Sequence, residues 1–250
     1  RNLVFSYGDG PRVLDGMSAT FEPGTLTALV GSSGSGKSTV ARLLARFHDP
    51  VEGSVLLGGD DLRDIAVRDV HRSVSVVFQD PQLLTLPLRE NIRLARRDAT
   101  DGEIMAAAKL ANLDTVIAAL PKGLDSVVNV DVTFSGGEAQ RVAIARSIVT
   151  DAPVLIFDEA TAYADPASEA LIQSAIERLA RSRTVIVIAH RLSTIRNADR
   201  ILVLDGGAVA EAGTHDELLA RGGRYRDLWR AFVLDDEPSA PRGTEADDEK

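Results

Sequence analysis

The stretch Gly31-Ser-Ser-Gly-Ser-Gly-Lys37-Ser38-Thr39, here called the phosphate loop, follows directly on the apolar run Leu26–Val30. This order predicts a strand, a glycine-rich loop and a helix start. Glycines let the backbone turn tightly, so that successive N–H groups point at phosphate oxygens, and the helix N-terminus adds its own unpaired amides. A flexible serine–glycine linker is the alternative, but a lysine–serine pair between strand and helix argues against it. The sequence therefore predicts a site for the phosphates of ATP or GTP.

Residue types within the phosphate loop indicate separate roles. The Lys37 ammonium is placed to bridge the β- and γ-phosphates, and the Ser38 hydroxyl is placed to bind Mg²⁺. The residues predicted to surround the nucleotide phosphates are Gly31, Ser32, Ser33, Gly34, Ser35, Gly36, Lys37, Ser38 and Thr39.

Two adjacent carboxylates, Asp158 and Glu159, follow a second apolar run, Val154–Phe157. Ligands of open α/β sheets gather at the carboxyl ends of the strands. We expect Asp158 to hold Mg²⁺ and Glu159 to act as general base for the water that attacks the γ-phosphate. A solvated acidic pair is the alternative, and the phosphate loop in the same chain favours the catalytic interpretation.

The segment Ser135-Gly136-Gly137-Glu138 opens a predicted helix that runs through Val149. Ser and Glu at this spacing form a capping box, in which each side chain binds an otherwise unpaired backbone amide. Two glycines beside a helix N-terminus also make an anion site. Since one triphosphate seldom needs two helix ends from one chain, this second end is predicted to serve a partner's nucleotide.

Two polar residues follow further apolar runs. Gln79 comes after Val74–Phe78 and is placed to contact Mg²⁺ or the attacking water, although a lone glutamine is more often a surface residue. His190 ends the run Val185–Ala189, where its imidazole could hydrogen-bond a γ-phosphate. A boundary histidine without a catalytic role is the alternative.

Tyr7 and Asp165 give weaker signals. Tyr7 ends the strand-like segment Leu3–Tyr7 and could stack on an adenine ring. Asp165 precedes Pro166, a pair typical of a helix N-cap followed by proline in the first turn.

Composition limits the class of protein. The 250 residues contain 44% hydrophobic residues and no cysteine, which excludes disulfides, thiolate catalysis and zinc–sulfur sites. No apolar run reaches the roughly 18 residues that a membrane span needs. The net charge of −9 argues against nucleic acid as a partner, and the acidic stretch 235–250 is predicted to be a disordered tail. Because strand-like residues begin almost at Arg1, we expect the chain to be cut from a longer polypeptide.

The hydrophobic patterning predicts an α/β fold with a mostly parallel sheet and an antiparallel β-rich start. A helix is predicted over Pro166–Arg181, and helical spacing extends over about residues 100–120. The predicted strands are Leu3–Tyr7, Arg12–Leu14, Ala19–Phe21, Leu26–Val30, Val51–Leu57, Ser73–Phe78, Val154–Phe157 and Val185–Ala189.

The order of these segments is more specific than any one of them. Residues 1–232 resemble the nucleotide-binding domain of an ABC transporter. The motifs that carry the resemblance run from Tyr7 through the phosphate loop to His190. Four stretches resemble the exporter-type subgroup, whose nucleotide domain follows a membrane domain in the same polypeptide. They are Val77-Phe-Gln-Asp80, Arg89-Glu-Asn-Ile92, Gln140-Arg-Val-Ala-Ile-Ala-Arg146 and His190-Arg-Leu-Ser-Thr-Ile195.

The resemblance implies a P-loop NTPase core within residues 1–234, with a helical subdomain over about residues 80–150. It also implies a head-to-tail dimer, with an identical or a different partner, that sandwiches ATP and Mg²⁺ at two sites. Each site would use one phosphate loop and the partner's equivalent of Ser135-Gly136-Gly137-Glu138. Asp165 would lie near the nucleotide. A membrane domain fused upstream would place this chain at the cytoplasmic face of the cell (inner) membrane.

A groove near Gln79 is implied to receive helices of the membrane domain. The leucines expected to line it are Leu83, Leu84, Leu86 and Leu88, and packing inside the helical subdomain is the alternative for some of them.

Two segments depart from the family pattern. Val128–Thr133 replaces the glycine- and glutamate-bearing segment that usually contacts the membrane domain, and Phe134 replaces a leucine. The second departure, Thr161-Ala-Tyr-Ala-Asp165, is similar to that of bacterial members that take up iron chelates of the mycobactin or yersiniabactin type.

The leading hypothesis is therefore an ATPase that powers transmembrane transport, with Glu159, His190, Lys37 and Gln79 in catalytic roles and Ser38, Gln79 and Asp158 on the metal. The alternative is a regulatory half of a heterodimer that binds ATP and hydrolyses little of it. A soluble ABC ATPase acting on DNA or ribosomes would require a long coiled coil or tandem domains, and the sequence shows neither.

Overall fold

The computed structural model describes residues 1–158, 165–189 and 192–236. These residues form a mixed α/β fold around one mostly parallel sheet. The strands are β1 Leu3–Ser6, β2 Arg12–Met17, β3 Leu26–Val30, β4 Leu56–Leu57, β5 Asp60–Asp61, β6 Val74–Val77, β7 Val154–Asp158, β8 Thr184–Ile188, β9 Arg200–Asp205 and β10 Ala208–Gly213. The helices are α1 Lys37–Leu44, α2 Val67–Ser73, α3 Leu88–Ile92, α4 Asp101–Leu110, α5 Asp114–Ala119, α6 Gly136–Val149, α7 Pro166–Ala180, α8 Leu192–Arg196, α9 His215–Arg221 and α10 Arg224–Asp236.

The central sheet has the strand order β10-β9-β3-β8-β7-β6. Strands β9, β3, β8, β7 and β6 pair in parallel, and β10 pairs antiparallel with β9. Leu29 lies opposite Ile188, and Ile188 lies opposite Asp158. The carboxyl ends of β3, β8 and β7 therefore meet at one edge of the sheet. The predicted mostly parallel sheet is confirmed.

Central strands are apolar along their whole length because both faces of the sheet are covered. All five residues of β3 are buried. Successive residues of β7 point to opposite faces, so Leu155 and Phe157 pack in one apolar cluster with residues of α6 and α7, whereas Ile156 packs in a second cluster with α1. The small antiparallel pair β1–β2 covers this second cluster with Leu3, Phe5 and Leu14.

Side-chain caps set the starts of the helices that flank the sheet. Thr100 and Glu103 form a capping box at α4, and Ser135 and Glu138 form one at α6. The Asp165 carboxylate caps α7, which begins with Pro166 as the sequence predicts.

Two predicted strands in the first part of the chain are wrong or too long. Ala19–Phe21 forms no strand. Ala19 and Phe21 pack against the second cluster, which explains the apolar character that suggested a strand. Within Val51–Leu57 the strand is limited to β4, and Glu52 forms only an isolated bridge with Val4.

Helical spacing over residues 100–120 corresponds to two helices, α4 and α5, rather than to one. Asn112 adopts a left-handed conformation between them, with φ 55°. Its side chain donates to the Leu171 carbonyl at 2.8 Å and accepts from Arg178 at 2.7 Å. Contacts with α7 therefore hold this turn, and the local sequence did not reveal them.

The domain boundaries 1–234, about 80–150 and 235–250 stay predictions. Helices α3 to α6 do lie within 80–150, and Asp235 and Asp236 form the end of α10. Residues 237–250 lie outside the described part of the chain. Among the described residues, no helix has both the length and the apolar character that a membrane span requires.

We expect Leu155→Ala to lower the free energy of unfolding by about 3 kcal/mol, because it leaves a cavity under α6 and α7. Leu155 is 0% exposed, whereas Leu171 on α7 is 40% exposed. Leu171→Ala is the matched control and should cost about 0.5 kcal/mol or less. Urea denaturation measures both values, and equal losses would contradict this assignment of the core.

Candidate nucleotide-binding site

The phosphate loop leaves β3 at Gly31, and its last three residues form the start of α1. Gly36 is the N-cap of α1, with φ 100° and no side-chain cap hydrogen bond. No side chain therefore competes for the first amides of α1, which point toward the loop with the positive end of the helix dipole. Ser32, Ser33 and Gly34 are exposed at the mouth of the loop, and Ser35 is buried beneath them.

Gly31 is glycine for a steric reason. Its φ is 153°, and a Cβ atom there would lie 2.3 Å from the Leu204 carbonyl oxygen of β9. Gly34 also has a positive φ, 79°, but a Cβ atom there would meet nothing within 4 Å. The loop is thus anchored tightly at β9 and open at its outer turn.

The Lys37 side chain folds back into the phosphate loop. It is 6% exposed, and its Nζ donates to the carbonyls of Gly31 at 2.8 Å and Ser32 at 2.9 Å. A third contact joins Nζ to Ser35 Oγ at 3.4 Å. A cation is therefore held inside a ring of backbone groups, where a nucleotide's phosphates would meet it.

Ser38 and Asp158 come together across the carboxyl edge of the sheet. The Ser38 hydroxyl donates to Asp158 Oδ1 at 3.2 Å, although 120 residues separate the two in sequence. The contact exists because α1 follows β3 and Asp158 ends β7, with β8 between them. A hydroxyl and a carboxylate in contact form an oxygen donor pair suited to Mg²⁺.

Three other predicted residues stand in the sequence just after residues of β6, β7 and β8. Gln79 lies two residues beyond the end of β6, and Val77 of β6 is opposite Phe157 of β7. Glu159 and His190 directly follow Asp158 and Ala189, and both lie outside the described residues.

Tyr7 lies beside α1, in an edge-on aromatic group with Phe5 and His48. Its ring is 40% exposed, and its hydroxyl is 3.2 Å from Thr39 Oγ1. Arg42 also donates to the Tyr7 hydroxyl, at 3.1 Å. The sequence analysis missed Arg42, because an arginine in the last turn of a short helix gives no signal until β1 is placed beside it.

The start of α6 carries a capping box, and its N-cap Ser135 and first residue Gly136 are exposed. The Glu138 carboxylate accepts from the Ser135 amide at 2.8 Å and from the Ser135 hydroxyl at 2.9 Å. Ser135 and Gly136 are exposed, whereas Gly137 is buried. The helix end is thus presented outward, and the structural role of the Ser–Glu pair as a capping box is confirmed.

Asp165 stands where α7 begins. Its Oδ1 accepts from the amides of Ala167 and Ser168, each at 3.0 Å. Hydrogen bonds from the Ser168 side chain and from these amides hold the pKa of Asp165 below its ordinary value. Residues 159–164 lie between this cap and Asp158, and they fall outside the described residues.

The four leucines predicted at the groove near Gln79 divide into two pairs. Leu84 and Leu86 are exposed. Leu88 is fully buried and Leu83 packs against the core, so these two contribute to packing rather than to an open surface.

Comparison with known families decides the classification. The family model described as ABC transporter matches residues 14–162, which is more than half of the chain. The chain belongs to the ABC transporter family. Within this family it is an exporter-type ATP-binding domain, because 96% of the chain matches the structure of a bacterial Atm1-family ABC exporter with ATP bound, with TM-score 0.87 and 44% identity.

Two curated relatives extend this comparison. The mycobactin import ATP-binding/permease protein IrtA of Mycolicibacterium thermoresistibile is 52% identical over 98% of this chain. ABC transporter B family member 28 of Arabidopsis thaliana is 48% identical over 91% of it. This chain covers 27% and 32% of those two proteins, and 41% of the Atm1-family exporter chain.

The residues of this ABC domain fit ATP with Mg²⁺. Lys37 and the open start of α1 supply positive charge and amides for phosphate, and Ser38 and Asp158 supply oxygen ligands. The described residues contain no group of three or more His, Cys, Asp or Glu side chains that could hold a metal ion alone. Mg²⁺ keeps several waters and is often shared between one or two protein ligands and the substrate phosphates, which agrees with this partial shell.

We expect Gly31→Ala to destabilise the protein far more than Gly34→Ala. Both positions have a positive φ, so each alanine costs about 1 kcal/mol in backbone strain. At Gly31 the new methyl group also collides with the Leu204 carbonyl, and one of the two strands must move. Urea denaturation should show a loss of about 3 kcal/mol or more for Gly31→Ala and about 1 kcal/mol for Gly34→Ala. Equal losses would contradict the described loop geometry.

Proposed function

We propose that this chain hydrolyses ATP and powers transport of a solute across a membrane. The observation that carries the proposal is the joint placement of the buried Lys37 ammonium and the Ser38–Asp158 pair at one sheet edge. Phosphoryl transfer from ATP to water depends mainly on positioning and on neutralisation of charge at the phosphates. These three side chains supply both.

Each predicted site residue has a role in this scheme. Lys37 and the amides from Gly31 to Thr39 neutralise the β- and γ-phosphates. Ser38, Asp158 and Gln79 would hold Mg²⁺, which would offset the remaining negative charge. Glu159 accepts a proton from the attacking water, and the His190 imidazole donates a hydrogen bond to the γ-phosphate. Tyr7 stacks on the adenine ring, supported by Thr39 and Arg42.

A second copy of an ABC domain completes the site. The start of α6 supports this part of the proposal, since Ser135 and Gly136 are exposed there. Ser135, Gly136, Gly137 and Glu138 then contact the nucleotide held by the partner's phosphate loop, and Asp165 lies beside the same interface. The partner is an identical or a related chain.

A membrane domain is the other proposed partner, fused upstream of this chain. Exposed apolar side chains support a docking surface for it beyond β6. Phe47 and Phe78 are exposed with ring centroids 5.8 Å apart, and Leu84 and Leu86 are exposed farther along the segment. The relatives named ATP-binding/permease proteins agree with this arrangement. In this proposal the chain lies at the cytoplasmic face of the cell (inner) membrane.

For the cargo we propose an iron chelate of the siderophore class. Three of the similar proteins, from three mycobacterial species, are named mycobactin import proteins, each 52% identical to this chain. The sequence of the segment Thr161-Ala-Tyr-Ala-Asp165 supports the same proposal, because it is similar to that of family members that take up iron chelates.

We expect Lys37→Met to abolish ATP binding, because it removes the ammonium that lies inside the phosphate loop. Lys109→Met on exposed α4 is the matched control and should leave binding unchanged. Isothermal titration with ATP and Mg²⁺ measures both variants. Binding by Lys37→Met with wild-type affinity would contradict the assignment of the site.

We expect Glu159→Gln to reduce ATP turnover at least a hundredfold while ATP binding persists, because glutamine keeps the shape of the side chain and removes the proton acceptor. The control is Glu22→Gln at an exposed loop position. Steady-state hydrolysis by the complete transporter is the measurement. If turnover stays largely unchanged, the partner's site does the work and this chain is the regulatory half.

A further inference from the structure

The Tyr7 hydroxyl lies between two side chains of α1. Arg42 donates to it from Nη1 at 3.1 Å, and Thr39 Oγ1 lies 3.2 Å from it. Thr39 is the last residue of the phosphate loop and is 6% exposed, whereas Arg42 is exposed about one turn farther along α1. The hydroxyl therefore connects the residue that follows β1 to the helix that carries the phosphate-binding side chains.

The donors present determine the direction of these two hydrogen bonds. A guanidinium only donates, so the Tyr7 oxygen accepts from Arg42. A phenol that accepts from a cation becomes a stronger donor in turn, because hydrogen bonds in a chain polarise one another. The Tyr7 proton is thus directed to Thr39 Oγ1, and the chain of donors runs from Arg42 through Tyr7 to Thr39.

This direction leaves the Thr39 proton available to another acceptor. A threonine hydroxyl that accepts one hydrogen bond can still donate its own proton. Thr39 stands in the first turn of α1, directly after Lys37 and Ser38, where the N-cap Gly36 leaves the helix start open. The acceptors expected at that place are phosphate oxygens, which are charged and therefore form strong hydrogen bonds.

The Tyr7 ring has different neighbours from its hydroxyl. Phe5 and His48 both contact the ring edge-on, with centroids 4.9 Å and 5.4 Å from the Tyr7 centroid. These contacts hold the ring in one orientation, and Tyr7 remains 40% exposed. The ring and the hydroxyl are thus held independently, and each can serve a different part of a nucleotide.

We propose that Tyr7 acts on two parts of the nucleotide at once. Its ring stacks on the base, and its hydroxyl, polarised by Arg42, directs the Thr39 proton to a phosphate oxygen. Arg42 and the Tyr7 hydroxyl are positioning groups in this scheme, because only Thr39 touches the phosphates. The ligand of this hydrogen-bonded chain is a polyphosphate, with or without a base attached. The inference rests on the proposed function of the site.

Inorganic tripolyphosphate with Mg²⁺ separates the two actions of Tyr7 because it has no base. Tyr7→Phe keeps the ring and removes the hydroxyl, so it should weaken binding of tripolyphosphate and of ATP by the same factor. We expect about fivefold, the effect of one lost hydrogen bond. Tyr7→Leu should weaken tripolyphosphate binding equally, and ATP binding about fivefold further, because base stacking is lost as well. Competition against a fluorescent ATP analogue on the complete transporter measures these constants.

Double variants test whether the three side chains act in one line. Thr39→Val removes the last donor, and Arg42→Met removes the charge while it keeps the apolar stem. Each should weaken tripolyphosphate binding. Tyr7→Phe added to Thr39→Val should cause no further loss, and neither should Arg42→Met added to Tyr7→Phe. Thr39→Ser should bind like the wild type, because it keeps the hydroxyl.

Tyr225→Phe is the matched control, since it removes a tyrosine hydroxyl that lies on α10. The Tyr225 hydroxyl is 2.7 Å from His215 Nδ1, and Tyr225 is 1% exposed. Its loss should lower the Tm, because a buried imidazole nitrogen loses its partner, and should leave the binding of both ligands unchanged. Tyr7→Phe should show the reverse, with weaker binding and a Tm close to that of the wild type.

Three results would overturn the inference. The first is wild-type affinity of Tyr7→Phe for tripolyphosphate, and the second is a loss for ATP alone, which would limit Tyr7 to the base. The third is an additive loss in either double variant, since Arg42 or Thr39 would then act on the phosphates without Tyr7. Failure of the proposed function looks different, because the wild-type transporter would then bind neither ligand, or Lys37→Met would bind both as tightly.

Discussion

The parallel pairing of β3, β8 and β7 is the constraint on which the site depends. It brings the carboxyl ends of these strands to one edge, where Ser38 meets Asp158 although the two lie 120 residues apart. Both faces of the sheet must be covered for such strands to be stable, which explains the apolar runs and the two clusters on either side. The same apolar packing that holds the sheet together therefore fixes the spacing of the polar groups at its edge.

Two cationic side chains, Lys37 and Arg146, are bound by backbone carbonyls. Lys37 is buried but surrounded by carbonyl and hydroxyl oxygens, so its charge is stabilised before any phosphate arrives. Arg146 is bound to carbonyls in the same manner. Arg141 is 4% exposed, and its Nε and Nη1 have no hydrogen-bond partner among the described residues.

Sequence patterns located most of the fold because central strands and capped helices leave local signals. β3, β7, β8, α6 and α7 lie within two or three residues of their predicted bounds, since unbroken apolar runs and Ser–Glu or Asp–Pro caps mark them. The failures have tertiary causes. Ala19–Phe21 is apolar because it packs on the second cluster, and the break at Asn112 is held by Leu171 and Arg178 of another helix. Neither cause is visible in a short window of sequence.

The sequence by itself determined which chemistry we propose for this ABC domain. Glycines, lysine and serine in the phosphate loop, and carboxylates after an apolar strand, predict phosphate and metal binding because those functions need particular atoms at fixed spacing. Tertiary structure alone decided that other distant groups meet, as Arg42 does with the Tyr7 hydroxyl and Leu204 with Gly31. Such contacts depend on how elements pack across the sheet, and packing is set by the whole chain rather than by any one motif.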